Sequence, residues 1–89
     1  MNQSAVESTR ILFFAALREE LGRSQLQLEL EQPVAVQQLL QQLGAAEQDF
    51  ARFLQQYDVL VAVNQQLVTM DAIVMPGAEI AIFPPVTGG

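Results

Sequence analysis

Apolar and polar positions alternate most cleanly over Gln25-Leu26-Gln27-Leu28-Glu29-Leu30, a period of two that predicts a strand with one buried face. Two other stretches are apolar at nearly every position, Arg10–Ala15 near the start and Glu79–Phe83 near the end. Runs of that kind predict strands covered on both faces, which belong at the centre of a sheet. Val59–Asn64 reads as another strand, and Asn64-Gln65-Gln66 as a turn into a short strand around Leu67-Val68. Between these, the pattern changes period. Val36, Leu39, Leu40 and Leu43 fall at i, i+3, i+4 and i+7, with Gln37, Gln38, Gln41 and Gln42 opposite, which predicts an amphipathic helix ending at Gly44. No Ser, Thr, Asp or Asn stands near Ala35 to cap it. Ala16–Leu21 predicts a short helical turn closed by Gly22, and Glu47–Leu54 a second helical piece with Phe50, Phe53 and Leu54 inward. Glu31-Gln32-Pro33 turns the chain, and Thr69–Met75 crosses over irregularly. Pro76-Gly77 fits the centre of a type II turn, because Pro supplies φ near −65° and Gly the positive φ.

This order predicts an α+β domain with one main helix across a mixed sheet. One helix covers only one face, so parity divides the apolar residues. Ile11, Phe13, Ile80 and Ile82 suit the helix side; Leu12, Phe14, Ala81 and Phe83 point away from it. Either loops bury that second face or a partner does. The second option predicts a partner-binding patch built on Phe14, Phe83 and the nearby Leu67.

Composition narrows the chemistry. The 89 residues suit one small domain, divided here into a loose N-terminal extension (1–9), a core (10–83) and a tail (84–89). The chain has no Cys and no His, and its four basic residues, Arg10, Arg18, Arg23 and Arg52, leave no Lys. The usual metal ligands, neutral-pH acid/base group and Cys and Lys nucleophiles are therefore missing, and no metal site is expected. A formal net charge of −6 argues against nucleic acid and anionic membranes and for a basic partner surface. Ile11–Leu17 is too short to span a bilayer and is flanked by charge, so a cytoplasmic protein is expected.

The tail is the stretch that composition cannot explain. Pro84 and Pro85 end the last strand and hold the chain stiff and extended. Val86, Thr87, Gly88 and Gly89 follow, and two glycines in succession arise by chance about once in two hundred at a background of about 7%. Lacking Cβ atoms, Gly88 and Gly89 can thread a tunnel that rejects larger residues. With no catalytic side chain elsewhere, the Gly89 carboxylate is the candidate reactive group.

Three segments carry a family likeness: Ile11–Glu19, Val61-Ala62-Val63-Asn64-Gln65 and Phe83-Pro84-Pro85-Val86-Thr87-Gly88-Gly89. Together they resemble the small, sulfur-carrier subunit of molybdopterin synthase, from about Ile11 onward. The resemblance implies a ubiquitin-like β-grasp fold. It also implies that Gly89 is adenylated by an activating enzyme akin to that of ubiquitin, using Mg-ATP, with no cofactor held by this chain. A desulfurase or rhodanese-type donor would then supply sulfur to give a thiocarboxylate. That sulfur would pass to cyclic pyranopterin monophosphate, forming the molybdopterin dithiolene of molybdenum cofactor biosynthesis. The catalytic groups would sit on a large subunit in a heterotetramer of two small and two large chains. Pro84, Pro85, Val86, Thr87 and Gly88 would thread into that partner. Arg18, beside Glu19-Glu20, is a candidate contact for the activating enzyme. The sequence departs from the family before Arg10 and at Pro76-Gly77-Ala78-Glu79. A sulfur carrier of another pathway (thiazole or thiamine type), a ubiquitin-like protein modifier and a plain interaction module stay open.

Overall fold

The computed structural model describes residues 7–85. Seven strands and three helices follow in the order β1 (Glu7–Phe13), α1 (Ala15–Leu21), β2 (Gln25–Leu30), β3 (Val34–Ala35), α2 (Val36–Ala46), α3 (Gln48–Gln56), β4 (Leu60–Val63), β5 (Gln66–Val68), β6 (Ile73–Val74) and β7 (Glu79–Phe83). Five strands make the main sheet in the order β2-β1-β7-β4-β5, with β1 and β7 parallel and the other neighbours antiparallel. The two strands apolar on both faces are indeed interior. This is a β-grasp arrangement. The parallel pair sets Ile11 beside Ile80, and Phe13 beside Ile82. All four are buried together with Val36, Leu39 and Leu43 of α2 and Phe50 of α3, which form one core on the helix side.

Several boundaries differ from the expectation. β1 begins at Glu7 and pairs with Leu30 of β2, so Glu7–Thr9 belong to the sheet and not to a loose extension. The reason lies in Thr9, which is fully buried and accepts the Gly77 N–H on Oγ1 at 3.0 Å. The rest of that extension lies outside the described residues. Ala15 belongs to α1 and not to the first strand. Gly44 does not end α2, which runs on to Ala46. Instead Gly44 sits where α2 meets α3, and a Cβ there would lie 3.5 Å from that of Ala51, an ordinary contact distance.

The uncapped start of α2 is resolved by tertiary structure. The Val36 and Gln37 N–H groups donate to the carbonyls of Ala72 and Met70, both at 2.9 Å, and Gln38 Oε1 accepts the Ala35 N–H at 3.2 Å. Those carbonyls come from the segment expected to cross over irregularly, part of which forms β6 and pairs with β3. Its end is the predicted type II turn: Gly77 takes φ 89° and the Ala78 N–H reaches the Met75 carbonyl at 3.2 Å. Gly22 closes α1 at φ 72°, donating its N–H to the Arg18 carbonyl at 3.0 Å.

Two stability measurements check this packing. Gly44→Ala removes backbone freedom from the unfolded chain without a clash, and is expected to raise stability by about 0.5–1 kcal/mol in denaturant unfolding. Thr9→Val keeps the shape of the side chain but strands the Gly77 N–H, and is expected to cost about 1–3 kcal/mol.

Candidate functional site

The face of the sheet opposite the helices carries a broad groove of about 1010 Å³. Alternation along three adjacent strands builds it. Leu12 of β1 pairs with Ala81 of β7, Ala81 with Ala62 of β4, and Phe83 with Leu60, so these side chains share one face. Phe14 continues β1 by one residue in extended conformation, its N–H on the Ile82 carbonyl at 3.2 Å. Its ring stacks on Phe83, with centroids 4.8 Å apart and planes 10° from parallel. Leu67, 68% exposed, lines the groove from β5. Phe14, Leu67 and Phe83 thus come together as parity places them.

Polar groups stand among these apolar side chains. Glu79 lines the groove and pairs with Arg10 at 2.7 Å across β1 and β7. Gln65 also lines it, held by the two-residue turn that joins β4 to β5. Asn64 and Gln65 take φ 49° and 71°, the positive values that a type I′ hairpin turn needs. Asn64 Oδ1 accepts the Glu79 N–H at 3.0 Å while its own N–H meets the Glu79 carbonyl at 2.8 Å, so the turn is tied to the central strand. Ala15, where the chain swings from β1 into α1, has φ 53°. A left-handed residue other than Gly costs on the order of 1–2 kcal/mol, and here Ala15 and Gln65 both line the groove.

Pro84 and Pro85 also line the groove, directly after Phe83. Val86, Thr87, Gly88 and Gly89 lie outside the described residues. Arg18 is exposed on α1, does not line the groove, and makes no ion pair among the described residues. No three acidic side chains converge on a common point among those residues. Asp71, held below the usual carboxylate range first by the Thr69 hydroxyl and then by a backbone hydrogen bond, lies on the link from β5 to β6 and does not line the groove. The groove is thus mainly an apolar recognition surface, and the chain leaves it at Pro84-Pro85. Sequence reasoning passed over Leu60, which the alternation in β4 could have placed beside Phe83.

The ThiS family model matches residues 11–89, nearly the whole chain. The chain belongs to the ThiS family. Among curated relatives, the molybdopterin synthase sulfur carrier subunit of Escherichia coli K12 is 40% identical over 80 residues, covering 90% of this chain and 98% of that protein. The subunit of the same name from Haemophilus influenzae is 43% identical over 81 residues, covering 89% and 96%. The solution structure of the Haloferax volcanii HVO 2177 protein superposes with a TM-score of 0.76 at 24% identity, covering 100% of this chain and 92% of that one. At that identity the likeness speaks for the fold. The described residues include no helix long and apolar enough to cross a membrane.

The division of the two faces predicts unequal costs. Phe83→Ala loses the stacked pair, worth about 0.5–1.5 kcal/mol beyond its buried area, and is expected to leave a folded domain. Ile82→Ala, one residue away on the core face, is expected to cost about 2–5 kcal/mol. Urea unfolding of the two variants measures the contrast, and equal losses would contradict the assignment of faces.

Proposed function

We propose that this chain is the sulfur-carrier subunit of a molybdopterin synthase, working through the carboxylate of Gly89. The observation that carries the reading is the position of the diproline. The central strand β7 runs along the apolar groove and hands the chain to Pro84-Pro85 at the groove itself, with Val-Thr-Gly-Gly following in the sequence. The 40% and 43% identities to two sulfur carrier subunits support it.

A carboxylate is a poor acyl donor, and this chain has no Cys, His or Lys to activate it. In the proposed sequence an adenylyltransferase related to ubiquitin-activating enzymes binds Mg-ATP. The Gly89 carboxylate attacks the α-phosphorus, pyrophosphate leaves, and an acyl adenylate forms. The terminal sulfur of a persulfide on a desulfurase or rhodanese-type donor displaces AMP to give an acyl disulfide. A thiol then attacks the donor-side sulfur, leaving the thiocarboxylate and forming a disulfide with the donor. The large catalytic subunit then accepts the tail, and the thiocarboxylate sulfur attacks cyclic pyranopterin monophosphate. Water cleaves the resulting thioester, leaving sulfur on the pterin and restoring the Gly89 carboxylate. Two loaded small subunits supply the two sulfurs of one dithiolene. This chain binds no cofactor of its own and carries out its work in the cytoplasm.

Each described feature has a part in that scheme. The groove, with the stacked Phe14 and Phe83 and the exposed Leu67, is the face for the large subunit; it is apolar and carries aromatic anchors, as hot spots do. Pro84 and Pro85 reduce the entropy lost when Val86, Thr87 and Gly88 are threaded. Gly88 and Gly89 leave the reacting carbon unhindered. Arg18, exposed on α1, is a contact for the activating enzyme.

Intact mass, measured after incubation with ATP, activating enzyme and sulfur donor, tests the chemistry. The unaltered chain is expected to exchange one oxygen for sulfur. Deleting Gly89 withdraws the carboxylate by about 3.5 Å and is expected to abolish loading with an unchanged melting temperature. Gly88→Val is expected to fail likewise. A chain ending at Gly88 that gains sulfur at the normal rate refutes the reading, and covalent attachment to another protein points to a modifier instead. Phe83→Ala is expected to weaken the complex with the large subunit by about 2 kcal/mol or more.

A further inference from the structure

Pro84 and Pro85 border a second depression. It has a volume of about 290 Å³ and lies between the start of α1 and the end of α3. Ala15, Pro84 and Pro85 line both it and the groove, so the two adjoin at the root of the tail. A single body seated on the groove reaches the smaller hollow without leaving the surface.

The hollow has an aromatic wall and one acid. Phe53 is buried in the core, and Tyr57, the residue that follows α3, packs against it with ring centroids 4.8 Å apart. Tyr57 is nevertheless 47% exposed, so the ring offers a face to an occupant of the hollow. Glu20 stands across from them on α1. It is exposed, and among the described residues it joins none of the ion pairs, which are Arg10–Glu79, Arg23–Glu47 and Arg52–Asp49.

Rings beside an unpaired carboxylate complement a long cationic side chain. Its apolar stem lies along the rings while its head reaches the acid. An anionic occupant would meet Glu20 and a chain of net charge −6. An aliphatic one would cover the carboxylate and leave it unpaired. Arginine suits better than lysine, because a planar guanidinium can stack on Tyr57 and donate two parallel hydrogen bonds to Glu20. The geometry points to this hollow as the seat of an arginine side chain of the large subunit. The inference rests on the functional reading above and deepens it. With the groove filled on one flank and the hollow on the other, the diproline is gripped from both sides and the tail leaves in a fixed direction.

Calorimetric titration of the folded chain against its cognate large subunit, at low and at high salt, tests this. Glu20→Gln is expected to raise Kd about tenfold at low salt and to flatten the salt dependence. Tyr57→Ala is expected to weaken binding by a similar factor, and Tyr57→Phe, which keeps the ring, to bind nearly as the unaltered chain does. Glu19→Gln, an exposed neighbour that does not line the hollow, is the control and is expected to leave Kd and its salt dependence unchanged. If Glu20→Gln binds with unaltered Kd and salt dependence, the arginine seat is refuted while the functional reading stands. Weakening by Tyr57→Ala without any effect of Glu20→Gln refutes it too, since the occupant is then apolar. If the unaltered chain does not bind the large subunit at all, the functional reading falls and this inference with it.

Discussion

The fold depends on the parallel pairing of β1 with β7. These two strands come from opposite ends of the chain, and their side chains are apolar on both faces. One face supplies Ile11, Phe13, Ile80 and Ile82 to the core, where each fully buried side chain contributes about 1.5–3 kcal/mol. The other supplies Leu12, Phe14, Ala81 and Phe83 to the groove. The same pairing thus stabilises the domain and furnishes its recognition surface, and no strand could slip by one residue without exchanging the two. The Arg10–Glu79 ion pair spans that pairing, and the Asn64–Glu79 hydrogen bonds tie the β4–β5 turn to β7.

A chain so arranged keeps recognition and reactivity apart. The groove holds side chains suited to contact, while the proposed reactive group is the carboxylate of the last residue, beyond the diproline in the sequence. In the proposed scheme, acid/base groups and phosphate-binding cations come from the partners. A partner of basic character fits the charge of −6, and the proposed arginine seat beside the diproline would give that charge one specific point of engagement.

Much of this was legible in the sequence, for a physical reason. Strict alternation in Gln25–Leu30 and the Pro-flanked apolar run Glu79–Phe83 each determine a strand locally, and both strands have the expected limits. Side-chain parity then assigned the two faces, since a strand cannot turn one residue without turning its neighbours. What stayed hidden depends on contacts far apart in the chain. The start of α2 is capped by carbonyls of Met70 and Ala72, more than thirty positions later. Thr9 looked like part of a polar end because its partner, Gly77, lies at the other end of the sequence. Gly44 reads as a helix stop until Ala51 is seen against it. The hollow was illegible for the same reason, because only the packing of α1 on α3 brings Glu20 to Tyr57.

Parallel strands have one further implication. Because β1 and β7 run in the same direction, the chain enters the sheet at one pole and leaves for Pro84 at the other. The leading edge of β1 at Glu7 is therefore separated from the diproline by the length of the sheet. An affinity handle, a fluorophore or a tether to a solid support joined at Glu7 would attach at the pole remote from the diproline. The domain has a natural grip end, and a chain held at Glu7 keeps the attachment away from Pro84.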